Sequence, residues 1–253
     1  MARHEALIEK LYIARLRGQH FSGFDSAIID LETALELQLE VLKRFESDGE
    51  RLAGWKIGLT SGNARDRMGE GIRPFGFVLQ SRVFASGSSV PLTDILNCHV
   101  EPEICLVLKK SLTGPDITTE EAKAAVGAVV PAFEINEIRV NPQEEGNIAL
   151  VADGLAHWGI ILGPETEPRD GLIGTTVEFS CNGKLLGTKT PGQTMDDPYL
   201  SLARLCKQLD RFGRGLKPGQ PVITGSFFHQ AVNSPAKYQA NFAKMGAVGF
   251  EFS

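Results

Sequence analysis

The chain has 253 residues, enough for one large domain or two small ones, and 42% of them are apolar, enough for a sizeable core. A net charge of -5 argues against a nucleic-acid partner, which needs a basic patch. The four cysteines show no CxxC spacing, which argues against a zinc site or a disulfide framework, and no apolar run reaches the length of a membrane span.

The first residues, Met1 to Glu5, lead into a charged helical pattern rather than an apolar leader, so a cytoplasmic location is expected. Leu7, Leu11 and Ala14 predict a helix over about 5–17 that Gly18 stops. Ile28, Leu31, Leu35, Leu39, Leu42 and Phe45 recur at spacings of three and four. They predict an amphipathic helix capped by Ser26 and ended by Gly49. Gly54 to Ser61 reads as a short strand with Lys56 among apolar residues. Such a lysine either snorkels to water or aims a cation into a pocket. Gly58, Thr60 and Ser61 would let a ligand approach the backbone closely.

Residues 62–80 read as a glycine-rich loop that ends in a short apolar piece. His99 to Leu108 is a buried-looking strand with Glu101 and Glu103 at its mouth. Side chains at i and i+2 share a strand face, so these carboxylates lie side by side. Either both face water, or a hard divalent cation lies between them. Pro102 fits best at an edge or a bulge. Thr118 to Glu121 has capping-box spacing and opens a helix. Val129 to Ile135 is a second apolar strand interrupted by an acid, Glu134, and an ion pair of Glu137 with Arg139 is the simple reading of those two residues.

Residues 140–150 read as a polar loop or lid, and Asp153 as a turn residue before Gly154. Asn182-Gly183 marks a hairpin. Asp197-Pro198 opens a helix that Gly213 stops, and Val222 to Ser226 is a strand ending in Thr224-Gly225-Ser226. Gly246 to Phe252 alternates as a closing strand. Helices early and late, with many short strands between, give an α+β class with a strand-rich core. The expected organisation is a helical region over 1–50 and a catalytic strand-rich domain over 51–253, forming one compact unit.

Five motifs occur in order: Gly54-x-Lys56-Ile57-Gly58-Leu59-Thr60-Ser61, Glu101-x-Glu103, Pro131-Ala132-x-Glu134, Val151-Ala152-Asp153 and Thr224-Gly225-Ser226. The set resembles the hydratase/decarboxylase family of aromatic meta-cleavage pathways, within the fumarylacetoacetate hydrolase superfamily. Its members include 2-keto-4-pentenoate hydratase and 4-oxalocrotonate decarboxylase. The resemblance implies a rolled mixed sheet preceded by helices, with Mg²⁺ or Mn²⁺ held by Glu101, Glu103 and Glu134. It implies that Lys56 pairs with substrate charge or assists proton transfer, and that Asp153 orients a ligand or Lys56. Thr224 and Ser226, with their backbone amides, would bind the substrate carboxylate, and Thr60 and Ser61 would be further substrate-binding residues. The implied partners are a small 2-oxo acid, further copies of the chain in a homo-oligomer, and a pathway enzyme in complex; neither nucleic acid nor membrane is expected.

The chain departs from the family pattern in three places. Pro74 stands where hydratases usually carry an acid, Gly154-Leu155-Ala156-His157 follows Val-Ala-Asp, and Asp196 precedes Asp197-Pro198. The expected activity is addition of water to a small 2-hydroxy or 2-oxo dienoic acid. Decarboxylation of a 2-oxo diacid is the runner-up, since decarboxylases also lack the acid replaced by Pro74. C–C bond hydrolysis with His99 as base, or a non-catalytic partner role, are the further alternatives.

Overall fold

The computed structural model describes residues 4–24 and 29–253. Two helices come first, α1 (Glu5–Arg17) and α2 (Leu31–Ser47). Gly18 ends α1 in the left-handed conformation, returning its N–H to Ala14. Asp30 caps α2 by accepting from the Thr33 N–H. That corrects the expected cap, because the helix starts later than the apolar spacing suggests; Ser26 and Ile28 lie outside the described residues.

The strands follow as β1 (Leu52–Ile57), β2 (Phe75–Leu79), β3 (Val83–Ala85), β4 (Ser89–Val90) and β5 (Cys98–Leu108). Helix α3 (Thr119–Ala125) leads into β6 (Val126–Glu137), and α4 (Pro142–Ala152) into β7 (His157–Leu162). A hairpin of β8 (Val177–Cys181) and β9 (Lys184–Lys189) turns at Asn182-Gly183, and α5 (Pro198–Asp210) follows it. The chain closes with β10 (Pro221–Ser226), β11 (Gln230–Ala231), β12 (Lys237–Phe242) and β13 (Gly246–Phe252).

The expected loop over 140–150 is a helix. Asn141 caps α4 by accepting from the Gln143 N–H, and Pro142 occupies the first turn. Gly146, at φ 83°, kinks it, and Ala149, Val151 and Ala152 bury its later turns. The polar residues that suggested a loop fill the short segment before the kink.

The larger, eight-stranded sheet runs β2-β1-β10-β5-β6-β7-β3, with β11 added beside β5. It is mixed: β1 pairs with β10 and β3 with β7 in parallel, whereas β5, β6 and β7 are antiparallel neighbours. A second sheet runs β4-β13-β12-β8-β9. Val78 of β2 and Ile160 of β7, near opposite ends of the large sheet, meet in one apolar cluster with Ile223, Cys105 and Val130. The sheet is therefore rolled. Its other face shares a core with the helices, running from Ile8 and Leu42 through Trp55, Phe133 and Phe250.

Pro102 lies inside a central strand rather than at an edge. The irregularity expected of it is in its neighbour, where β10 slips register between Ile223 and Ser226 and then leaves before β11 resumes the pairing. No helix among the described residues is long and apolar enough to cross a membrane.

Candidate active site

The register of β5 against β6 assembles three carboxylates. Glu101 stands directly opposite Glu134, and Glu103 opposite Ala132. Directly opposite residues share a face, as do residues two apart, so Glu101, Glu103 and Glu134 all project from one side of the sheet. Each offers an oxygen within 4.8 Å of the others. Parity and register put Cys105, Val130, Ala132, Ile160 and Ile223 on this face too, so an apolar floor lies under the acids. Glu134 and Glu103 are buried, and Glu101 is half-buried.

Each acid has one oxygen fixed by the protein. Glu134 Oε1 accepts from Lys56 Nζ at 2.6 Å and lies 2.7 Å from His157 Nδ1. Glu103 Oε2 accepts from the Gly225 N–H at 2.8 Å, and Glu101 Oε1 lies 2.5 Å from His229 Nδ1. Glu134 Oε2 is buried without a hydrogen-bond partner. A buried orphan oxygen beside two more carboxylates is costly unless a cation takes it. The donor set, all hard oxygens, fits a hard divalent cation such as Mg²⁺.

The electrostatics agree. Burial and the neighbouring Glu134 and Glu101 push the Glu103 carboxyl well above the ordinary carboxylate range. Burial also opposes ionisation of Glu134, but the Lys56 ammonium and the His157 contact outweigh it and hold that carboxyl down. His157 is lowered to about 4 by burial, against the pull of Glu134, so its ring is neutral at pH 7 and Nδ1 carries the proton given to Glu134.

Lys56 is buried with its ammonium between Glu134 Oε1 and the Leu155 carbonyl, 3.0 Å away. That carbonyl is aimed by a left-handed turn in which Gly154, Leu155 and Ala156 all have positive φ. A Cβ on Gly154, at φ +75°, would come within 2.6 Å of Arg15 Nη1, so another residue there would be strained and would displace the Arg15 guanidinium. The turn then delivers His157 opposite Asn136 at a register slip in β7, where Trp158 is the extra residue, and this brings the imidazole round to the carboxylate face. The Gly-Leu-Ala-His departure in the sequence is thus the device that fixes Lys56 and Glu134.

The expected substrate-binding residues divide. Ser61 and Ser226 line the cavity, their hydroxyls 3.4 Å apart. Thr60 also lines it, but its hydroxyl donates to the Thr224 carbonyl. Thr224 is fully buried, lies outside the lining, and spends its hydroxyl on the Ile104 carbonyl. Gly225, at φ +148°, keeps these segments together, since a Cβ there would lie 2.6 Å from Thr60 Oγ1. Asp153 lies outside the lining as well. Its carboxylate accepts from Arg139 Nε and Nη2, both at 3.0 Å, and Arg139 also pairs with Glu137. Asp153 thus makes no hydrogen bond to Lys56 and lies at the start of the turn whose Leu155 carbonyl accepts from Lys56. Asp196 gathers Arg65, Arg73 and Arg204, and its N–H donates to the Thr60 carbonyl, so it ties down the loop carrying Ser61.

The cavity encloses about 550 Å³ above the carboxylates, walled by Leu59, Ile138, Leu150, Leu155 and Phe227 among others. His99 does not line it and instead stacks on His229 at 4.4 Å, while His229 does. His229 carried no motif in the sequence, and His157 stood out there only as part of the Gly-Leu-Ala-His departure; that both meet the acids is seen only in the fold.

The chain is 32% identical over 200 residues to 2-hydroxyhexa-2,4-dienoate hydratase of Comamonas testosteroni, covering 78% of this chain and 76% of that one. It is 30% identical over 213 residues to 2-hydroxypent-2,4-dienoate hydratase of Pseudomonas putida, covering 83% and 93%. The chain belongs to the hydratase/decarboxylase family of the fumarylacetoacetate hydrolase superfamily. No family model matches it. This hydratase/decarboxylase chain shares its fold with 4-oxalocrotonate decarboxylase of Pseudomonas putida G7. The magnesium and adipate complex of that enzyme superposes with a TM-score of 0.91 at 24% identity, covering 98% of this chain and 96% of that one. Its calcium and acetate complex gives 0.89 at 25% identity over the same shares. Both complexes of that enzyme carry a divalent cation.

Proposed function

We propose that this chain is a divalent-metal-dependent lyase that adds water to a small 2-hydroxy or 2-oxo dienoic acid in the breakdown of aromatic compounds. The observation that carries the reading is the carboxylate trio on one sheet face with an orphan buried oxygen, beside a buried lysine. The family's hydratases support the reaction type. Glu101, Glu103 and Glu134 would hold Mg²⁺ or Mn²⁺, which when bound supplies a Lewis acid for the oxygen on which negative charge develops.

The chain's own residues do the rest. Ser61 and Ser226 present hydroxyls to the substrate carboxylate. The Gly225 N–H, already given to Glu103, fixes a ligand instead of binding substrate. Lys56 carries the mobile proton, held between Glu134 and the Leu155 carbonyl so that its remaining donor position faces the cavity. Apolar walls limit water to the opening. The enzyme works as a homo-oligomer, in the cytoplasm, and is a candidate to dock with a pathway partner.

Incubation with 2-hydroxypenta-2,4-dienoate and Mg²⁺ tests this: a 4-hydroxy-2-oxo acid forms, and both its appearance and the loss of diene absorbance need the metal. Release of CO₂ from 4-oxalocrotonate, with no hydration of the dienoate, would instead establish the decarboxylase reading, which Pro74 in place of an acid favours.

A further inference from the structure

The cavity is polar in a directed sense. At its buried end lie Glu103, Glu134 and Lys56, with Glu101 half-buried beside them and paired to the exposed His229. Away from that end, the charged side chains that line it are Arg67 and Lys189, both cationic. Arg67 is exposed, on the turn that follows the Ser61 segment; Lys189 is half-buried at the end of β9. They reach one cavity from two unrelated elements. Among the described residues neither has a carboxylate within ion-pair distance, whereas Arg65, Arg73 and Arg204 nearby are all committed to Asp196. Unneutralised cations lining a shared cavity attract an anion, and a guanidinium and an ammonium both suit a carboxylate.

We infer that Arg67 and Lys189 form a tail-anion subsite, so that the substrate of this enzyme is a diacid: a 2-hydroxy or 2-oxo dienoic acid with a second carboxylate at its far end. The inference rests on the proposed function for the head of the substrate and adds the chemistry of its tail. The apolar walls of the same cavity, which include Leu59, Ile138 and Leu155, take the unsaturated carbons. The exposed position of Arg67 makes the preference sensitive to salt, because charges near water are screened.

Two arms keep the tail and the reaction separable. The first is binding of unreactive analogues, read as the thermal shift given by 2-oxoadipate and by 2-oxopentanoate with Mg²⁺. The diacid should bind at least about tenfold more tightly, and Arg67→Met with Lys189→Met should reduce that ratio to near one, about tenfold being the worth of one charge-assisted contact. Arg67→Lys should restore part of it, and 0.5 M NaCl should shrink it in the wild type. The second arm is kcat/KM for 2-hydroxyhepta-2,4-dienedioate against 2-hydroxypenta-2,4-dienoate, with the same order of preference and the same collapse. A preference for the monoacid, or a diacid preference untouched in the double variant with unchanged melting of the free protein, overturns the tail subsite. A diacid preference in the binding arm with turnover of neither dienoate keeps the subsite and removes the hydratase reading.

Discussion

At the residue scale the site is a problem of buried charge. Glu134 is held ionised by Lys56 and His157, and its second oxygen is buried without a hydrogen-bond partner. Removing Lys56 leaves that carboxylate buried without its counter-charge, at a cost of about 3–5 kcal/mol in comparable pairs. Lys56→Met should therefore lower the urea stability of the metal-free protein by that order, and lower turnover at least about a hundredfold; unchanged turnover would take Lys56 out of the reaction. Glu103 moves the other way. Its raised carboxyl means that the folded, metal-free protein binds a proton the unfolded chain releases, so the contribution of Glu103 to stability is intact below about pH 4.5 and is lost as pH rises above it. Stabilisation by Mg²⁺ should accordingly grow between pH 5 and 8, and Glu103→Gln should abolish this growth, as read from melting curves with and without metal. Glu101, Glu103, Glu134 and Lys56 were visible in the sequence as charges inside apolar strands. The contacts of His157 and His229 were not, because each reaches the acids through a cross-strand register or a turn that no local pattern encodes, although His157 stood in a departure from the family pattern.

At the scale of elements, local chemistry wrote most boundaries. Thr118 and Glu121 form the reciprocal capping box that their spacing announced, Asp197 caps α5 through the Tyr199 and Leu200 N–H groups, and Asn182-Gly183 turns the hairpin at positive φ. Thr118→Ala should cost about 1 kcal/mol of stability in chemical denaturation and leave turnover unchanged, since α3 lies away from the cavity. The misreadings have one cause. The segment 140–150 looks like a loop because its few polar residues precede a kink at Gly146, while Ala149 and Val151 pack only once the fold supplies a surface. Pro102 sits in a central strand because its neighbour, and not its own strand, breaks register there. Such long-range compensation has no signature within a ten-residue window.

At the scale of the molecule, one core spans helices and sheet. Ile8, Leu11, Leu35 and Leu42 share a cluster with Trp55, Phe75 and Phe77, and Gln38 donates to the Phe75 carbonyl while Arg15 donates to the Asp153 carbonyl. The helical region therefore braces the backbone on both sides of Lys56. We propose that residues 1–50 and 51–253 are a single folding unit. A chain starting at residue 51 should show no cooperative melting; a sharp transition with native near-ultraviolet circular dichroism would make the helices a separate module. The central claim concerns one cation held by three carboxylates from two paired strands. Calorimetric titration of the full chain with Mg²⁺ tests it directly. One ion should bind per chain in the wild type, and none measurably in Glu103→Gln or Glu134→Gln variants that melt as cooperatively as the wild type. Undiminished binding in either variant, or no binding in the wild type, would contradict it.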